Sequence, residues 1–187
     1  MLSGVVYYTR IRDPGLKPFR VEHDPYADLI EDHLTLVFPV PVDPADLCDH
    51  VQGVIEGLPP FDIHIAGVGK TWDQWMYLGV QEGSEDVVAL HEQLYRGSLA
   101  QYRRRDLTFV PHVGIGFFGL TEFEALDPSE SQLDEERYLR AKEHAEGLAI
   151  DEWRRVDELT VVSLTDDLSV LKDVFKIPLG GMAEPKR

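Results

Sequence analysis

The chain has 187 residues and a formal net charge of −16, from 18 Lys plus Arg against 34 Asp plus Glu, and 43% of it is hydrophobic. That length fits one domain, or two small lobes sharing a core, and the acidic surplus excludes extended nucleic acid as a default partner unless a local basic patch overrides it. The single cysteine, Cys48, rules out an intramolecular disulfide and a cysteine-rich metal site, so an inert core thiol in a reducing, cytoplasmic setting is expected. No apolar run reaches the ~18 residues of a membrane span. The apolar stretch in MLSGVVYYTRIRD is too brief for a signal sequence, so a soluble protein without a membrane partner is expected.

In chain order, GVVYYT (Gly4 to Thr9) has strand composition. Pro14, Gly15 and Pro18 then break any period, and the segment up to His33 reads as irregular. HLTLVF alternates as a strand, with Leu34, Leu36 and Phe38 on one face and His33, Thr35 and Val37 on the other, until Pro39 and Pro41 stop it. Asp43 as N-cap, Pro44 at the first helical position and Leu47, Val51, Val54, Ile55 and Leu58 at helical spacing predict a helix ended by Gly57. FDIHIAGVG and QWMYLGVQ form a hairpin. Ser84 caps an amphipathic helix closed by Gly97. LTFVPHVGIGFF is a further strand unit, SQLDEERYLRAKEHAEGL a charged, exposed helix, and VDELTVVSL and LSVLKDVFKIPL two final strands. The fold class is α+β with mostly antiparallel sheets.

VPHVGIGFFG raises a specific question, because opposite Val113, Ile115 and Phe117 its other face carries only His112, Gly114 and Gly116. Setting His112 over His33, 79 residues earlier, matches Leu34 with Val113, Leu36 with Ile115 and Phe38 with Phe117. That pattern suggests duplicated lobes.

These residues resemble the 2H phosphoesterase superfamily, which includes 2′-5′ RNA ligase-like proteins and cyclic phosphodiesterases and is named for two His-x-Thr/Ser motifs. His33-Leu34-Thr35-Leu36 is one intact copy. HDPYADLIEDHLTLVFP, FDIHIAGVGKTWDQWMYLGVQ and FVPHVGIG follow in family order, and the likeness spans Asp24 to Leu179. The resemblance implies a single domain over residues 1–187, built from two pseudo-symmetric βαββ-type lobes flanking a central cleft with helices outside. The lobes are set at about 1–32 plus 98–155 and 33–97 plus 156–187. Two departures stand out. The second motif is His112-Val113-Gly114-Ile115, with glycine where Thr or Ser is expected, and the usual helix before His33 is replaced by the broken segment.

The implied activity is metal-independent hydrolysis of a small or RNA-terminal 2′,3′-cyclic phosphate, with no cofactor. His33 and His112 would be the catalytic acid and base, since an imidazole of pKa about 6.5 can serve as either. Thr35 would bond a non-bridging phosphate oxygen. Gly114 marks the substrate-binding position without its hydroxyl, where a backbone amide or water could substitute, although Gly114 and Gly116 could equally mark a bulge or a close packing contact. His64 falls on the face opposite Phe61, Ile63 and Ile65 and could line the cleft or be merely structural. Tyr77 could stack on a base or pack in the core, and Trp75 is similar. Lys70 could meet phosphate and the Arg103 to Arg105 run could contact RNA, though both read more simply as solvated loop residues, and His50, His91 and His144 read as surface residues. The competing readings are a degenerate member that binds a nucleotide or phosphate ester without turnover, and a regulatory domain using its charged helix.

Overall fold

The structure is a computed structural model that describes residues 1–120, 132–166 and 169–180. Its elements are β1 (Leu2–Tyr8), α1 (Leu16–His23), β2 (His33–Val40), α2 (Pro44–Ile55), β3 (Phe61–Lys70), β4 (Trp75–Val80) and α3 (Ser84–Leu94). They are followed by β5 (His112–Phe117), α4 (Glu135–Gly147), β6 (Asp151–Val156), β7 (Glu158–Leu164) and β8 (Leu171–Pro178), with a 3₁₀ turn at Gly97–Tyr102. Ser131 and Leu168, the first residues of two expected elements, lie outside the described residues.

All eight strands join one antiparallel sheet in the order β6-β3-β4-β5-β2-β1-β7-β8. Strands β6 and β7 are six places apart in that order yet connected by Asp157 alone. On a flat sheet the gap would be about 29 Å, against the ~7 Å that two Cα steps span. The sheet therefore curls into a half-barrel that brings β6 beside β7 and β1.

The curl consists of two matching halves, β2-β1-β7-β8 and β5-β4-β3-β6, which meet where Leu34 pairs with Val113. This differs from the expected lobes, which put β1 with β5 and β6. Direct pairing of Tyr8 with His33 and of Val6 with Thr160 binds β1 to β2 and β7 instead. Helix α1 packs on β5 and α3 on β2, each crossing to the other half, while α2 covers β7 and β8 and α4 meets β3. Their apolar faces bury one core containing Leu34, Leu47, Ile63, Leu78, Leu90, Val113 and Val161.

The duplication extends to irregularities. Val5 pairs with Val37 but Val6 with Thr35, so Leu36 is an extra, bulged residue. Met76 pairs with Gly116 but Tyr77 with Gly114, so Ile115 is bulged in the same way, 79 residues after Leu36. A bulge reverses the in-out alternation beyond it, which corrects the expected faces. Val37 is fully buried and Phe38 is 48% exposed. Phe117 turns to Trp75 (ring centroids 5.7 Å apart), and Gly116 turns towards α1, where a Cβ would lie 2.8 Å from the Cβ of His23.

Three further expectations are corrected. The Pro/Gly-broken segment contains α1, because Pro18 precedes the first intrahelical bond, Phe19 N–H to Gly15 O (3.1 Å), and so loses no hydrogen bond. Gly83 rather than Ser84 takes the cap position of α3, at φ +76°, because any Cβ there would lie 2.4 Å from the Asp62 carbonyl oxygen. Strand β6, DEWRRV, was not expected from its charged composition. The Asp43 cap with Pro44 at the first turn and the positive-φ stop at Gly57 occur as expected.

Candidate active site

His33 opens β2 and His112 opens β5, and the two rings are held identically. The Nδ1–H of His33 donates to the Glu31 carbonyl (2.8 Å) and that of His112 to the Val110 carbonyl (2.6 Å), each two residues upstream. A carbonyl can only accept, so Nδ1 carries the proton in both and Nε2 presents its lone pair when the ring is neutral. The approach to His33 is fixed by Asp32, whose Oδ2 accepts from Thr9 Oγ1 (2.5 Å) and Ile11 N (2.9 Å).

Leu34 and Val113 pair across the junction and point into the core. Their neighbours His33, Thr35, His112 and Gly114 therefore share the opposite face, with Thr35 beside His112 and Gly114 beside His33. The histidines are diagonal neighbours, a relation with Cα atoms about 7–8 Å apart, so one phosphate can be gripped between them. Burial lowers the pKa of both rings. At His33 the Glu31 carbonyl, Asp24 and Asp32 oppose this while Arg20 adds to it; at His112 the Val110 carbonyl and Asp73 oppose it.

The surrounding face is aromatic. Tyr8 pairs with His33 and donates to Asp173 Oδ1 (2.6 Å), and burial and that bond push its phenol pKa up, keeping it protonated. Tyr77 lies on this face rather than in the core, with its ring 5.1 Å from that of His112. It rests on Gly69, where a Cβ would meet Tyr77 Cζ at 2.4 Å. Trp75 covers Gly114, 3.5 Å from where a Cβ would stand, and stacks on Tyr26 (6.3 Å, 10°). Where the second motif lacks a hydroxyl, the floor is thus an indole.

His33, Thr35, His112, Gly114 and Tyr77 are brought together at the junction. His64 is not among them. It shares their face, since Ala66 pairs with Gly79 and Gly79 with His112, but both its nitrogens donate to carboxylates, Glu82 and Asp151, at 2.6 Å each. Those bonds, Asp151 first, raise its pKa, making it an imidazolium tie between strands with no nitrogen left for substrate.

The other singled-out residues divide. His91 is buried rather than on the surface, donating to the Leu36 carbonyl (2.9 Å) and stacked on Phe109 (3.7 Å). His50 donates to the Leu94 carbonyl and is half-buried, whereas His144 is exposed. Lys70 is tied to Thr71 and Gln74 within its hairpin turn, and Arg103 and Arg104 pair with Glu92 and Asp106. Among the described residues no group of three or more His, Cys, Asp or Glu could hold a metal ion, and no helix is long and apolar enough to cross a membrane. Sequence reasoning missed Tyr8, whose place beside His33 depends on the β1–β2 register.

A family model described as the 2′-5′ RNA ligase superfamily matches residues 8–167. Among solved structures, TT0787 of Thermus thermophilus is similar at a TM-score of 0.62 and 15% identity, covering 97% of this chain and 99% of that one. Escherichia coli LigT complexed with ATP has a TM-score of 0.54 and 16% identity over 96% and 98% of the two chains. Kluyveromyces marxianus Usb1 with uridine monophosphate has a TM-score of 0.50 and 10% identity over 95% and 98%. No curated protein matches the chain in sequence.

Proposed function

Because the chain belongs to the 2′-5′ RNA ligase superfamily, we propose that it is a metal-independent phosphoesterase opening a 2′,3′-cyclic phosphate on a small nucleotide or an RNA end. The observation that carries this reading is the matched pair His33 and His112, each tied through Nδ1 and presenting Nε2 on one face. One neutral imidazole takes a proton from water as the water oxygen bonds to phosphorus. The other, protonated, gives its proton to the ribose oxygen as the P–O bond breaks. The Thr35 hydroxyl bonds a non-bridging oxygen. Gly114 supplies no equivalent donor, which costs about ten- to a hundredfold in rate, since a hydrogen bond to a charged group contributes about 1.5–3 kcal/mol. The ATP and uridine monophosphate in the LigT and Usb1 structures support a small nucleotide as the bound class. The lone, buried Cys48 suits a reducing compartment such as the cytoplasm.

Gly114 favours a second reading, nucleotide binding without turnover. Purified protein in chelator, assayed on nucleoside 2′,3′-cyclic phosphates and cyclic-phosphate-ended oligonucleotides, separates the two. Turnover that falls at least about a hundredfold in both His33→Ala and His112→Ala is expected. Binding with no turnover in the wild type would establish the second reading.

A further inference from the structure

The curl leaves a cavity of about 670 Å³ at the seam where β6 comes round to β1 and β7. Tyr8 and Thr160 line it from one half, and Asp62, Trp153 and Arg155 from the other. All five lie on the histidine-bearing face by register. Because Tyr8 pairs with His33, the cavity begins one strand away from the candidate catalytic pair and continues the same face.

Its chemistry is unusual for a chain of net charge −16. Four guanidinium groups border it, those of Arg10, Arg12, Arg154 and Arg155. Arg155 is matched by Asp62 (3.3 Å) and Arg154 by Glu152. Among the described residues neither Arg10 nor Arg12, both exposed, has a side-chain ion pair, whereas Arg103 and Arg104 pair with Glu92 and Asp106. The Nε–H of Arg154 is buried with no hydrogen-bond partner, although buried donors are normally satisfied. Besides Asp62, two further carboxylates, Asp157 and Glu158, line the same space. Trp153 stacks one face on His64 (5.0 Å, 12°) yet is 57% exposed.

Free guanidinium groups suit a phosphate, carboxylates accept ribose hydroxyls, and an open indole stacks on a base. The volume is in the range of ligand sites. We propose that this cavity is a subsite for a second nucleotide unit, with Arg10 and Arg12 on its phosphate and Trp153 on its base, so that the substrate extends at least one nucleotide beyond the scissile phosphate. The proposal deepens the phosphoesterase reading and rests on it for the identity of the first subsite.

The test is calorimetric binding of two product-like probes that need no turnover, adenosine 3′-monophosphate and the 3′-phosphorylated diadenylate. The wild type should bind the dinucleotide at least about tenfold more tightly, as a charge-assisted phosphate contact implies. That ratio should fall to near one in Arg10→Ala/Arg12→Ala and drop in Trp153→Ala, and recover in part in Arg10→Lys/Arg12→Lys. A ratio is unaffected by any fraction of misfolded variant. A ratio near one in the wild type, or one that survives in the double alanine variant, overturns the subsite. If cyclic phosphates are never hydrolysed but the ratio holds, the phosphoesterase reading falls and the subsite stands. If they are hydrolysed and the ratio is one, the subsite alone falls.

Discussion

At the scale of single residues, the two histidines are equivalent in bonding but must differ in protonation to act as base and acid. Burial lowers both pKa values, so above the ordinary value of about 6.5 the protonated form of either ring becomes scarce and the acid limits the rate. The pH profile of kcat/KM, which reports the free enzyme, should therefore be a bell whose maximum lies on the acid side of 6.5; an optimum near pH 8 would show that another group supplies the proton. Gly114 offers a second test. Its would-be Cβ makes only an ordinary 3.5 Å contact with Trp75, so Gly114→Ser fits and places a hydroxyl beside His33. It should leave stability within about 1 kcal/mol, since Gly in a strand carries an entropic cost of that order, and raise kcat on cyclic nucleotides about tenfold through the restored hydrogen bond. An unchanged kcat would mean that another group, such as a backbone amide, already holds that phosphate oxygen.

At the scale of elements, the same strand shows how far the sequence could be read. The His-x-Thr motif, the 79-residue offset and the apolar rows at Leu34 and Val113 were legible because period-two alternation holds up to those residues. Gly114 and Gly116 point to a bulge or close contact in β5, and a bulge at Ile115 lies between them. The equivalent bulge at Leu36 was not legible, since a bulge is a property of two paired strands and no glycine marks it there. Helix α1 was hidden by treating Pro18 as a breaker when it sits in the first turn. Strand β6 was hidden because an edge strand may carry charge on its open side. The bulge gives the two glycines of β5 opposite tolerances. Gly116→Ala would put a Cβ 2.8 Å from the His23 Cβ and 3.0 Å from Phe118 Cε2. Helix α1 must then move off β5, at a cost of about 1–3 kcal/mol as in other overpacked cores. In urea unfolding the midpoint should drop for Gly116→Ala and barely change for Gly114→Ala. Equal drops would mean that the alternation does not reverse at Ile115.

At the scale of the whole molecule, the sheet order explains why residues far apart in sequence form one site, and why His64, near the site in pattern, serves the frame instead. It ties β3 to β6 through Asp151 while Glu82 fixes it from the turn before α3. The frame also has a predictable acid response. His23, His33, His91 and His112 all have pKa values lowered chiefly by burial. For each, the unfolded chain binds a proton more readily than the folded one. Their contribution to stability is full above about pH 6.5 and is lost as pH falls below it, at up to about 1.4 kcal/mol per pH unit for each proton of difference. His64 has the opposite sign. Its raised pKa gives stability that is full below the unfolded value and lost as pH rises through the folded one. Four groups oppose one, so Tm should fall between pH 7 and pH 5. The slope can be assigned with His91→Asn, whose side-chain amide can still donate to the Leu36 carbonyl but does not titrate. That variant should lose less stability on acidification than the wild type. Identical pH slopes in the two proteins would remove buried His91 as a source of the acid sensitivity.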